Sequence, residues 1–186
     1  ASAAPPASAA PPASEAPRWR FGGALSGAAS SASGLVLGGE LALDATRDGP
    51  LGPSLRVGVA RTFGARTSVD GGSAALAFTT GTVDVCALHL EAGRFGVRPC
   101  ARVVAGVLDV EGRGVALSAS PTRPWVSAGV GARGTFRLTD PLAVELQVRG
   151  QAPFFRERFF LEPDLTVYRA PVVVAEASIG VAARFP

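Results

Sequence analysis

The chain has 186 residues, 47% of them apolar, with 23 Gly, 15 Pro and a net charge of +3. No stretch approaches the roughly 20 continuous apolar residues of a membrane helix, so a membrane crossing would have to use strands. All 18 basic residues are Arg and they are scattered, whereas a nucleic-acid surface needs them gathered on one face.

Residues 1–17 repeat Ala-Ser-Ala-Ala-Pro-Pro and hold no side chain able to build a core, which predicts a flexible to semi-extended linker ahead of a domain at 18–186. The absence of Met, even at position 1, fits a chain from which a secretory signal has been removed. Eight strand-like runs follow, at 18–27, 34–46, 53–63, 73–88, 95–110, 124–138, 141–153 and 166–185. The connections alternate in kind. Those after the second, fourth and sixth runs are tight: Arg47-Asp48-Gly49-Pro50, Glu91-Ala92-Gly93-Arg94 and Thr139-Asp140. Those at 28–33, 64–72, 111–123 and 154–165 are longer or richer in Gly, Ser and Pro. Short turns at one end and long loops at the other is the asymmetry of membrane barrels, whose short turns face the periplasm.

The seventh run shows the face pattern best. Leu142, Val144, Leu146 and Val148 alternate with Glu145, Gln147, Arg149 and Gln151, so one face of that strand is aliphatic and the other polar. Across the chain the second face collects Arg18, Arg20, Glu40, Asp44, Arg56, Asp84, Arg98, Arg102, Arg133, Arg137, Glu145, Arg149, Glu176 and Arg184. The first collects residues such as Trp19, Phe21, Leu25, Leu41, Leu43, Val57, Val59, Val83, Val103, Val130, Ile179, Val181 and Phe185. Charges repeated in mid-strand suggest a barrel with aliphatics toward lipid and ions toward the axis. An interior of eight strands fills with side chains, and ions there must pair. The expectation is a closed lumen plugged by a network that includes Arg56, Asp84, Arg102, Arg133, Glu145, Arg149 and Glu176.

A turn centred on Gly93 sets Cys86 opposite Cys100 and Asp84 opposite Arg102; one centred on Thr139 sets Arg133 opposite Glu145. The first pairing predicts a disulfide, which implies an oxidising compartment. The lone His89 is expected to be a solvated turn residue, so neither a metal site nor a cofactor is expected.

The strand count, the loop asymmetry and the ending resemble the small outer-membrane β-barrels, the OmpA-like and OmpX-like eight-stranded type. The most specific piece is the last strand, where Ala177, Ile179, Val181, Ala183 and Phe185 alternate up to a near-terminal aromatic. In such barrels the insertion machinery recognises that strand, so the resemblance implies this role for Ile179, Val181 and Phe185. It departs at Pro186, which follows the aromatic. Pro124-Trp125-Val126 and the residues after it are similar to strands of such barrels from GC-rich bacteria.

Enzymes of this type carry a His–Ser pair near the outer rim. Here His89 falls at the short-turn end, and Ser118 and Ser120 at the opposite end, so a nucleophile lacks a base within reach. The reading is a non-enzymatic, monomeric outer-membrane barrel contacting lipid, lipopolysaccharide and the insertion machinery, and not nucleic acid. One alternative is a binding or adhesion module built on the 153–169 hairpin, where Phe154, Phe155, Phe159, Phe160 and Tyr168 interleave with Arg. Another is a soluble lipocalin-like carrier with the aliphatic face turned inward.

Overall fold

The computed structural model describes residues 18–32, 35–49, 51–69, 72–113, 122–155, 158–161, 165–169 and 171–185. Side chains of 65–75, 110–121 and 156–170 are outside that description. The expected linker at 1–17, Ser118, Ser120 and Pro186 lie outside the described residues.

Among the described residues eleven strands follow one another: β1 (Trp19–Ser30), β2 (Val36–Arg47), β3 (Ser54–Val69), β4 (Gly72–Cys86), β5 (Leu90–Ala92), β6 (Phe95–Arg113), β7 (Thr122–Arg137), β8 (Leu142–Pro153), β9 (Arg158–Leu161), β10 (Leu165–Arg169) and β11 (Val174–Phe185). Eight of them form the wall. Each pairs antiparallel with its neighbour, β11 returns to β1, and β4 pairs with β6, so the sheet closes. Closure satisfies every ladder inside the wall and leaves no edge, which is the condition for a sheet in hydrocarbon. The short β5 continues the β4–β6 hairpin past residues 87–89.

The alternation decides which way the wall faces. Leu25, Leu41, Leu43, Val57, Val59, Val103, Leu146, Val148, Ile179 and Val181 are exposed, while the polar residues between them are buried. At the short-turn end the outer wall carries Trp19, Phe21, Phe95 and Phe185, with Phe136 packed on Phe95 at 4.8 Å between ring centroids. Phe63, Phe154 and Phe155 mark the other end. Aromatics at two levels bracketing an aliphatic band match the interfacial girdles of membrane barrels. A soluble carrier needs those aliphatics enclosed, so the wall excludes that alternative.

Three expectations about the strands are corrected. The last run does not extend unbroken over 166–185: Leu165–Arg169 pairs with Arg158–Leu161 in a separate two-stranded sheet, and β11 begins at Val174. Pro171 between them has no N–H to donate to a ladder. Most of the connection expected at 64–72 is strand, because β3 and β4 continue as a hairpin beyond a register shift between Phe63 and Arg66. Finally, the β7–β8 hairpin is centred one residue further on. Arg133 faces Gln147, and Glu145 faces Thr135. The N–H groups of Leu138 and Thr139 both bond the Leu142 carbonyl, at 2.9 and 3.1 Å, which makes the turn longer than a three-residue loop. The displacement is even in total, so every side chain keeps its face. The Gly93 turn has the expected centre, with Gly93 at a φ of 62°, a conformation that L side chains rarely adopt.

Candidate functional site in the barrel lumen

Four adjacent strands carry an unbroken row of alternating charge. Asp44 on β2 faces Arg56 on β3, Arg56 faces Asp84 on β4, and Asp84 faces Arg102 on β6. Inward positions in register bring each ion beside the opposite sign. Arg56 donates from Nε and Nη2 to the two oxygens of Asp44, both at 2.7 Å, and from Nη2 to Glu145 Oε2 across the lumen at 2.6 Å. Arg102 donates to Glu40 Oε1 at 2.9 Å and lies within ion-pair distance of Asp84 and Glu176. Arg133 reaches Asp44 and Asp84. Arg149 reaches Glu40, Asp84 and Glu176, and donates to Gln147.

Thr82 Oγ1 adds a 3.0 Å bond to Glu40. Inward Gly58 leaves room for that meeting: a Cβ there would come 2.9 Å from Thr82 Oγ1 and 3.0 Å from Glu40 Oε1. The seven residues expected in the network are thus brought together. Glu40 and Asp44, expected on the inward face as further network members, are among its most heavily used acceptors.

The ions do not fill the whole interior. Toward the long-connection end the lumen is apolar, with Ala32, Val36, Leu76, Phe78, Val104, Leu108, Trp125 and Val174 buried there. Phe78 meets Trp125 edge to face at 5.1 Å. The expectation of a purely ionic plug missed this layer. Toward the short-turn end the lumen widens into an open vestibule of about 510 Å³ lined by Arg20, Asp44, Asp48, His89, Glu91, Arg98, Arg133, Arg137, Glu145 and Arg184, among others. Of the expected inward set, Arg20 and Arg137 are exposed at this mouth, paired with Asp48 and Glu91.

His89 corrects another expectation. It is not a solvated turn residue: its side chain is 10% exposed and accepts a 2.8 Å hydrogen bond at Nδ1 from Arg98 Nη2. Nε2 lies 3.0 Å from Glu91 Oε1. Burial, followed by the charge of Arg98, holds the imidazole below its usual pKa, against the opposing pull of Glu91. His89 lies in the irregular segment 87–89 between β4 and β5 and lines the vestibule, a placement that strand alternation does not report.

Cys86 and Cys100, directly opposed on β4 and β6, are joined in a disulfide. Phe154 and Phe155 are exposed at the far end. The backbone of the β9–β10 hairpin places Tyr168 opposite Phe159 and Thr166 opposite Phe160. The side chains of Phe159, Phe160 and Tyr168 are outside the described residues. Ile179, Val181 and Phe185 sit on the outer face of β11, where they pair with Gly27, Leu25 and Phe21.

No protein-family profile matches the chain, and no curated protein matches it. Solved structures do. A major outer membrane protein from Thermus thermophilus superposes with a TM-score of 0.67 at 14% identity, covering 90% of this chain and 99% of that one. The fold is that of the small outer-membrane β-barrels. Ail, the attachment invasion locus protein of Yersinia pestis, in complex with the heparin analogue sucrose octasulfate, gives 0.54 at 13% identity, covering 91% and 99%. Neisserial surface protein A gives 0.52 at 14% identity, covering 92% and 100%. At these identities the likeness speaks for architecture: a closed eight-stranded wall of outer-membrane type, with the aliphatic band outside.

Proposed function

We propose that the chain is a non-enzymatic outer-membrane barrel with a sealed lumen, a structural or surface-displayed protein that presents its longer connections outward. The observation that carries the reading is the interior cross-section. The Asp44–Arg56–Asp84–Arg102 row is bridged across the axis by Arg56 to Glu145, and the Phe78–Trp125 layer lies above it. Crossing ion pairs and an apolar layer in series would both oppose the passage of an ion, which supports a sealed lumen. With the short turns periplasmic, lipid and lipopolysaccharide would surround the wall, and the β11 face of Ile179, Val181 and Phe185 would meet the insertion machinery.

The test is planar-bilayer conductance of the refolded protein, with heat-modifiable gel migration reporting the folded barrel. The expected record has no steady channels. A large sustained current from folded protein would overturn the sealed lumen.

A second reading, surface binding through residues 153–169, draws on the separate β9–β10 sheet beyond the barrel. Ail carries a sulfated saccharide analogue, which makes a polyanion a sensible probe here. Replacing Phe154, Phe155, Phe159 and Phe160 by Ala should abolish surface binding by whole cells if this reading holds; unchanged binding would sink it.

A further inference from the structure

The charge balance of the vestibule is uneven. Six arginines and four carboxylates line it, and the carboxylates are engaged. Asp44 and Glu145 serve Arg56, Asp48 serves Arg20, and Glu91 serves Arg137 and faces His89. Arg133 is served by Asp44, while Arg47, Arg98 and Arg184 have no carboxylate partner among the described residues; of these three, Arg98 is the buried one. Arg98 is 3% exposed, its Nη2 is bonded to the His89 ring, and its buried Nη1 has no acceptor. A buried guanidinium edge left unsatisfied is expensive, and Arg98 is one of the residues that line the vestibule. Arg184 lines the same space from β11. It also lines a second groove, of about 460 Å³, on the rim beside Arg18, Trp19 and Phe185.

We propose that the short-turn mouth is a binding site for a phosphate group, with Arg98 and Arg184 as its charged contacts and His89 as the residue that positions Arg98. Two guanidinium forks supply several donors and two charges, which matches a phosphate better than a single carboxylate. The volume admits a phosphate ester rather than only the bare ion. The group arrives either on a soluble molecule entering the vestibule or on a lipid headgroup through the rim groove, where Trp19 and Phe185 would flank the lipid. This inference does not depend on whether the barrel conducts.

The test uses the folded barrel in nonionic detergent, titrated with inorganic phosphate by calorimetry, with chloride at matched ionic strength as the control. A second arm compares thermal unfolding in the same nonionic detergent with added phosphatidylglycerol and with added diacylglycerol, which lacks the phosphate. Because Arg98→Gln alters a buried position, Arg184→Gln is the primary variant, and heat-modifiable migration verifies that it folds. A soluble source is supported if phosphate binds the wild type and R184Q binds at least tenfold more weakly. A lipid source is supported if only phosphatidylglycerol raises the unfolding temperature, and R184Q abolishes the shift. If phosphate binds no better than chloride and the lipid has no effect, or if R184Q changes neither response, the proposal is overturned.

Discussion

Arg56 and Glu145, 89 residues apart in sequence, meet across the barrel axis at 2.6 Å. Neither strand neighbours the other in the wall, so this contact holds the cross-section together independently of the backbone ladders. Removing one partner strands the other charge. Arg56→Met should destabilise the folded barrel by about 3–5 kcal/mol, the range for a broken buried pair. Adding Glu145→Leu should recover part of that loss, since Asp44 keeps Arg133. Urea unfolding from lipid vesicles, with the double-mutant cycle completed, measures the coupling.

The wall can be tested by depth. Leu41 lies on the lipid face of mid-β2, and Leu51 in the turn between β2 and β3. Leu41→Arg should cost about 2–4 kcal/mol and Leu51→Arg about 0–1 kcal/mol, following the depth dependence of charge on such barrels. Equal losses at the two positions would contradict the placement of the band.

The disulfide closes a loop of 14 residues in sequence separation, for which loss of the cross-link costs about 3 kcal/mol. Replacing both Cys86 and Cys100 by Ser should lower the unfolding midpoint correspondingly while leaving the heat-modifiable form intact. Without denaturant, a reductant followed by thiol alkylation should label the folded wild type more slowly than the unfolded chain, because Cys86 has no exposed surface and Cys100 is half-buried.

A pH effect follows from His89. Its pKa in the folded barrel is lowered, mainly by burial and then by Arg98, so the unfolded chain binds the proton more readily. The associated stability is complete above about pH 6.5, the ordinary His value, and is lost as pH falls through the folded pKa. The wild-type unfolding midpoint should therefore fall between about pH 7.5 and 5.5, and His89→Gln should flatten that slope. A slope unchanged by the substitution would assign the titration to other groups.

Where the two faces differ in chemistry, the sequence was easy to read. Glu145 and Arg149 between aliphatics fix β8, and Gly93 places Asp84 against Arg102 and Cys86 against Cys100 because its turn is tight. The Arg133–Glu145 pairing slipped because nothing in Leu138 to Pro141 distinguishes a three-residue turn from a longer one, and a two-residue change of partner leaves the alternation untouched. The apolar layer was illegible for another reason. Around Phe78 and Trp125 the neighbours are Ala77, Thr79, Pro124 and Val126, so small or apolar residues occupy both faces and alternation gives no sign of which side is enclosed. His89 depended on the fold of an irregular segment, for which no periodicity exists.

In the finished wall Cys86 has no exposed surface and Cys100 is only half-buried. A thiol oxidant that works by docking to its client meets both sulfurs most readily while the hairpin is still an unrolled ribbon in transit. Oxidation at that moment would tie the ribbon before it rolls up. The bond would in this sense record the order of events during assembly.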